Sequence, residues 1–262
     1  KLLEGRVAII TDGTPFVLTV PCLFVENFQT SEDYYANSYY ATFLRLIRFI
    51  GFILSMFSPA IYVALITFHQ EMIPANLLVT MAAAREGTPF PAVVDVVGMG
   101  IIYEILREAG IRLPRPVGQA VSIVGALVIG ESAVSAGLIG APMVIVVAIT
   151  AISSFVIPSL NEVGAVIRFY FVILAGVLGL FGIMIGVASF ISHLASLHSF
   201  GVPYLSPLAP IYISDLKDTF IRVPWWAMKT RPKAIVSPNG VRQESKKFEK
   251  PTEEENNEVL NK

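Results

Sequence analysis

Phe169 to Ser192 reads FYFVILAGVLGLFGIMIGVASFIS, 24 residues without a charge. As a helix at 1.5 Å per residue this run is about 36 Å long, enough to cross a hydrocarbon core of about 30 Å. It decides the fold class: a polytopic α-helical membrane protein. Working outward, Arg168 and the polar pair Asn161-Glu162 close the run on its N-terminal side. Upstream of them, Val117 to Ile157 is broken only by Glu131 and has length for two spans if the chain turns between Gly137 and Pro142. Phe49 to Phe68 is also uncharged and makes the first span, with Pro59 inside it as an expected kink and Arg45 and Arg48 on its flank. The reading is therefore about four transmembrane helices, over 49–68, 117–137, 142–157 and 169–192, in a membrane domain covering 31–214.

Composition agrees. Of 262 residues 54% are hydrophobic and 15% charged, with mean hydropathy +0.66, against roughly 25% charged in soluble domains. A net charge of −1 offers no basic field for a nucleic-acid backbone, which argues against nucleic acid as a partner. One cysteine, Cys22, and three scattered histidines, His69, His193 and His198, give no metal-ligand spacing, and no metal or cofactor is expected. HExxH, P-loop and GxSxG motifs are absent from the sequence, so the chain reads as a non-enzyme.

Between the first two spans, a Gly-Thr-Pro-Phe-Pro break at Gly87 to Pro91 precedes VVDVVGMGIIYEILREAG (Val93 to Gly110). Asp95, Glu104, Arg107, Glu108 and Arg112 are too many charges for a lipid-facing span, and Glu108 and Arg112 stand four apart on one helical face. Residues 90–112 are read as an amphipathic helix, re-entrant or interfacial, in preference to a further span.

At the N-terminus, VAII and FVLTV flank a Thr-Asp-Gly-Thr-Pro turn between Val7 and Val20, a hairpin signal. A lone hairpin is marginal, so residues 1–30 are read as the end of a larger soluble α/β domain in the cytosol, with further sequence expected before Lys1. Phe28 to Tyr40 carries four tyrosines and suits either an interfacial segment or a surface helix. After the last span, Lys217, Arg222, Lys229, Arg231 and Lys233, with Trp225 and Trp226 as belt residues, mark 215–262 as a cytosolic tail, disordered after about Pro238. Four spans place both termini on that cytosolic side. Arg85, Arg107, Arg112 and Arg115, between the first two spans, weigh against this topology.

Glu131 carries the strongest functional signal, because a carboxylate at the bilayer centre costs about 3 kcal/mol and must face water or a partner. Ser132 and Ser135 lie beside it. Ala133, Gly137 and Ala141 recur every four residues as a close-packing stripe. In one reading several copies of this helix pack on that stripe, while Glu131 and Ser135 border an aqueous path and Val134 and Leu138 form an apolar gate. In the other, Glu131 is protonated or paired with Arg107 or Arg168 and is structural only. Asp95, Glu104, Arg107, Glu162 and Arg168 are candidates for charged coupling, and Gly182 and Gly186 form a GxxxG helix contact.

Several strings taken together resemble one family: EGRVAIITDGTPFVLTVP (Glu4 to Pro21), HQEMIP (His69 to Pro74), AAAREGTPFPA (Ala82 to Ala92), EILREAGIRLPRPVGQAVSIVGALVIG (Glu104 to Gly130) and SFGVPYLSPLAP (Ser199 to Pro210). They are similar to the spore germination receptor A subunits, a family that includes SpoVAF-type paralogues. The resemblance implies sporulation, multi-pass location in the inner membrane of the endospore with both termini on the core side, and a cytosolic domain before Lys1. It also implies a transporter-like B subunit and a lipoprotein C subunit as partners. The function implied is a homo-oligomeric, pentameric cation channel gated by nutrients, with membrane lipid and permeant cations as its surroundings. The alternative is a non-conducting membrane scaffold for the germination complex.

Overall fold

The computed structural model describes residues 2, 5–113, 125, 130–224, 227–228, 230–233 and 235. Most of the expected span 117–137, together with Trp225, Trp226, Lys229 and the tail beyond Pro238, lies outside the described residues. The chain divides into two compact units, Lys1–Ile47 with Ile191–Lys262, and Arg48–Phe190.

In the first unit β1 (Val7–Ile10) and β2 (Val17–Val20) pair antiparallel, with Val7 opposite Val20 and Ile10 opposite Val17. The Asp12 carboxylate accepts from the Gly13 amide at 3.0 Å, an Asx turn that fixes the connection. Arg6 anchors the hairpin from below, paired with Glu26 and donating to the Pro21 carbonyl. Two short 3₁₀ turns follow, Phe24–Phe28 and Ser31–Tyr34, before α1 (Ser38–Thr67). Asn37 starts that helix, its side-chain oxygen accepting from the Tyr39 amide at 3.1 Å. Of the tyrosines between Phe28 and Tyr40, Tyr34 is held by protein partners, whereas Tyr35, Tyr39 and Tyr40 are exposed.

The second unit holds most of α1, then α2 (Ala75–Ala83), α3 (Ala92–Arg112), α4 (Gly130–Ser135), α5 (Ala141–Ser154) and most of α6 (Asn161–Ser196). Its core gathers Met56, Ala60 and Val63 of α1, Val96 and Met99 of α3, Met143 of α5, and Phe171, Val172 and Ala175 of α6. Glycines let the helices approach closely. A Cβ on Gly176 would meet Val93 Cγ2 at 2.5 Å, and one on Gly100 would meet Phe169 at 3.0 Å.

Among the described residues Ser38–Thr67 is long and apolar enough to cross a membrane, Pro158–Ser196 is so by length and composition when counted through its break at Gly179, and Ala141–Ser154 is a shorter apolar helix. The outward surfaces are apolar: Ile50, Ile53 and Ile61 on α1, Ile173, Val177 and Phe181 on α6. Asp95 and Arg168, in contrast, are buried. That inversion of the soluble pattern is the mark of a lipid-facing surface or one covered by partners.

Two expectations are corrected. The span over Phe169–Ser192 is not one straight helix: Gly179, at φ 62° and ψ −142°, breaks α6. Residues 161–178 and 180–196 fold back antiparallel, so that the Tyr170 and Ser189 hydroxyls meet at 2.8 Å across 19 positions. A straight helix would hold those residues about 28 Å apart. Second, the stripe Ala133, Gly137, Ala141 does not lie on one helix. The Gly137 amide bonds the Val134 carbonyl and the Leu138 amide the Ala133 carbonyl, with Gly137 at φ +68°, the Schellman pattern that ends α4. Ala141 opens α5 instead, so the turn expected between Gly137 and Pro142 is there, but the stripe is not. The expected 90–112 segment is occupied by α3, with Asp95 inward and Ile101 and Ile105 outward.

Candidate functional site

Pro59 has no amide hydrogen, so the Ser55 carbonyl four residues earlier in α1 has no helical donor. Arg168 of α6 supplies one: its Nε donates to that carbonyl at 3.0 Å. The other end of the guanidinium meets Glu104 of α3, Nη1 to Oε1 at 3.1 Å, and Arg107 one turn on holds Glu104 Oε2 at 2.7 Å. The guanidinium carbon of Arg168 also stands 6.0 Å from the centre of the Tyr103 ring, and the Tyr103 hydroxyl meets Ser154 of α5 at 2.9 Å. Four helices thus converge on one buried polar node, in which the Arg168 side chain is only 5% exposed. Charges buried among apolar helices persist where they are paired and hydrogen-bonded, which this node provides.

Asp95 is buried one face away on α3, with Arg85 at 3.6 Å, and so belongs to a separate pair. Glu108 and Arg112 form the i,i+4 pair at 2.5 Å on the exposed end of the helix. Glu162 is exposed in the first turn of α6. The coupling candidates are therefore divided: Glu104, Arg107 and Arg168 are brought together, whereas Asp95 and Glu162 are not.

On α4, Glu131, Ser132 and Ser135 are exposed, Ala133 and Val134 half-buried, and Leu138 is exposed just past the cap. Arg107 and Arg168 turn to Glu104, and Glu131 has no ion pair among the described residues. Gly182 and Gly186 both lie where the two arms of α6 touch: a Cβ on Gly182 would overlap the Leu174 carbonyl, and one on Gly186 would reach Phe171 at 2.7 Å.

A second charged cluster, in the first unit, carries no sequence signal. Arg45 of α1 is fully buried, its Nε on Asp33 at 3.0 Å and its Nη1 on Asp218, carbonyl at 2.7 Å and carboxylate at 2.9 Å. The Tyr34 hydroxyl donates to the other Asp218 oxygen at 2.8 Å, and Gln29 donates to the Asp218 carbonyl at 2.6 Å. Burial, reinforced by the Asp218 carboxylate, holds the Tyr34 phenol well above its ordinary value. This clamp ties the segment before α1, the start of α1 and the segment after the two-residue strand Val202–Pro203 into one body. Arg45 is thus a neutralised interior charge and not a free flanking cation.

The family model described as "Bacillus/Clostridium GerA spore germination protein" matches residues 1–234. Spore germination protein KA of Bacillus subtilis is 55% identical over 245 residues, covering 93% of this chain and 45% of that protein. An uncharacterized membrane protein of Bacillus subtilis, YfkQ, is 49% identical over 98% of this chain and 50% of its own length. Spore germination protein GerLA of Bacillus cereus is 43% identical over 90% of this chain and 48% of its own length. The chain spans about half the length of these relatives. No solved structure matches it. A family match running through the hairpin, the buried node and α6 as far as residue 234 leads to one conclusion: the chain belongs to the GerA spore germination protein family.

Proposed function

We propose that the chain is the membrane A subunit of a spore germinant receptor in the inner spore membrane. Copies assemble as a homo-oligomeric, pentameric ring, and the ring passes cations when nutrients are sensed. Both termini face the spore core, and the ring sits in lipid beside a transporter-like B subunit and a lipoprotein C subunit. The observation that carries the reading is the exposed polar edge Glu131, Ser132 and Ser135 on a helix set among apolar ones, with Val134 and Leu138 next to it. Repeated around a ring, such an edge gives carboxylates that favour cations and an apolar constriction that closes by dewetting. Glu104, Arg107 and Arg168 join α3 to α1 and α6, a link through which a partner subunit would act on the bundle that carries α4.

One observation favours the alternative of a non-conducting scaffold. α4 ends at Ser135 and the small-residue stripe is not formed on it, which removes the helix-on-helix contact expected to build the ring. The full-length chain purified into liposomes loaded with a potassium dye separates the two. Channel function predicts flux that falls several-fold in Glu131→Gln; a scaffold gives no flux above empty liposomes.

A further inference from the structure

Glu104 is shared between two arginines, so the node it forms with Arg107 and Arg168 carries one positive charge in excess. The surplus falls on Arg107. Its side chain is 12% exposed, and its Nη1 is buried without a hydrogen-bond partner among the described residues. A buried guanidinium nitrogen with nothing to donate to is costly, more so than a neutral group in the same position. Its surroundings show what would relieve that cost.

Arg107 lines a cleft of about 320 Å³ between α3 and α5, walled on a further side by Gly125 and Gly130 and otherwise by residues such as Met99, Leu106, Val147 and Phe155. The volume is that of a ligand pocket, and the walls are apolar apart from the arginine and Tyr103. Tyr103 already has Ser154 as its hydroxyl partner, which leaves Arg107 as the polar anchor. One cation at the edge of an apolar slot is complementary to an anionic head carrying an apolar tail. Ile102, Ile152 and Phe155 of its own walls are exposed, which opens the cleft to the surface that lipid would cover.

We infer that this cleft is a binding site for an anionic phospholipid, with the phosphate on Arg107 and one acyl chain along the α3–α5 slot. The lipid completes the charge balance of the Glu104 node and holds α3 against α5. A neutral lipid of the same chain length supplies the tail but not the anion, so the site discriminates by headgroup charge. The inference rests on membrane location alone and stands whether or not the assembly conducts.

The test is native mass spectrometry of the full-length protein, extracted in mild detergent and equilibrated with dioleoylphosphatidylglycerol or dioleoylphosphatidylcholine. Phosphatidylglycerol is expected to stay bound to each protomer and phosphatidylcholine to be retained about tenfold less. Arg107→Gln should erase that difference and Arg107→Lys keep most of it. Ala148→Leu, which fills the slot and leaves every ion pair in place, should lower phosphatidylglycerol retention by a similar factor; it decides the matter if Arg107→Gln fails to assemble. Equal retention of the two lipids, or retention unchanged in Ala148→Leu, overturns the inference. Full displacement of the lipid by millimolar inorganic phosphate also overturns it, by assigning the site to a soluble anion.

Discussion

The Arg168 guanidinium occupies the carbonyl of Ser55 that Pro59 leaves without a donor. Two residues that each look costly in an apolar helix therefore solve one another's problem. The proline frees an acceptor inside the bundle, and the arginine fills it while its other edge holds Glu104 at 3.1 Å. In hydrocarbon an unsatisfied backbone group costs several kcal/mol, so this contact fixes where α6 meets α1.

Arg168→Ala leaves Glu104 with Arg107 as its remaining partner in the node and strips the Ser55 carbonyl; losing one member of a buried ion pair costs about 3–5 kcal/mol. Arg168→Lys keeps the charge but cannot reach both partners with one ammonium. Pro59→Ala restores a helical donor to Ser55, so it should rescue the carbonyl part of the loss in both Arg168→Lys and Arg168→Ala while leaving the ion-pair part of Arg168→Ala unrepaired. Thermal denaturation of the detergent-solubilised protein reads this. Strict additivity of Pro59→Ala with Arg168→Lys would show that the two residues are not coupled.

Gly179 and Gly137 make different demands. At φ 62° and ψ −142° Gly179 sits where only glycine is at ease, and an added Cβ would stand 2.8 Å from His69 and 2.9 Å from Phe68. Gly179→Ala should open the α6 hairpin and abolish a disulfide engineered between Tyr170→Cys and Ser189→Cys. Gly137 has only the Gly87 carbonyl, at 3.8 Å, near the place a Cβ would take, so Gly137→Ala should cost only the left-handed backbone penalty of about 1–2 kcal/mol. An intact crosslink in Gly179→Ala would contradict the reversal.

The Arg45 clamp predicts a pH signature. Tyr34 titrates higher folded than unfolded, so its contribution is fully present below its ordinary value of 10.0 and is lost as pH rises beyond it. Melting temperature should hold from neutral pH to about 9 and fall above about 10, and Tyr34→Phe should flatten that fall. Asp33→Asn, which removes a carboxylate from fully buried Arg45, should cost about 3–5 kcal/mol at neutral pH. The same alkaline slope in Tyr34→Phe as in the wild type would assign it to another group.

Much of the fold was legible because it was local. The Thr-Asp-Gly-Thr-Pro turn between alternating β-branched runs located the hairpin, and the charge spacing from Asp95 to Arg112 located α3. What periodicity cannot tell is which face of a helix points inward: in a soluble frame the charges of α3 would face out, and here Asp95 is buried while Ile105 is exposed. The reversal at Gly179 was hidden because GVLGLFG is apolar throughout and any of its glycines could bend it. The clamp was hidden by distance, since Arg45 and Asp218 are 173 positions apart. Glu131 and Ser135 stood out because their chemistry is anomalous in an apolar run, a signal that does not depend on contacts.

Whether the polar edge of α4 borders a gated cation path is decided by potassium release from germinant-triggered spores carrying Glu131→Gln or Val134→Ala, with complex size measured on the same preparations. If it does, Glu131→Gln slows release and Val134→Ala leaks potassium without germinant, while both complexes keep wild-type size. Release that changes only when the complex falls apart would contradict it.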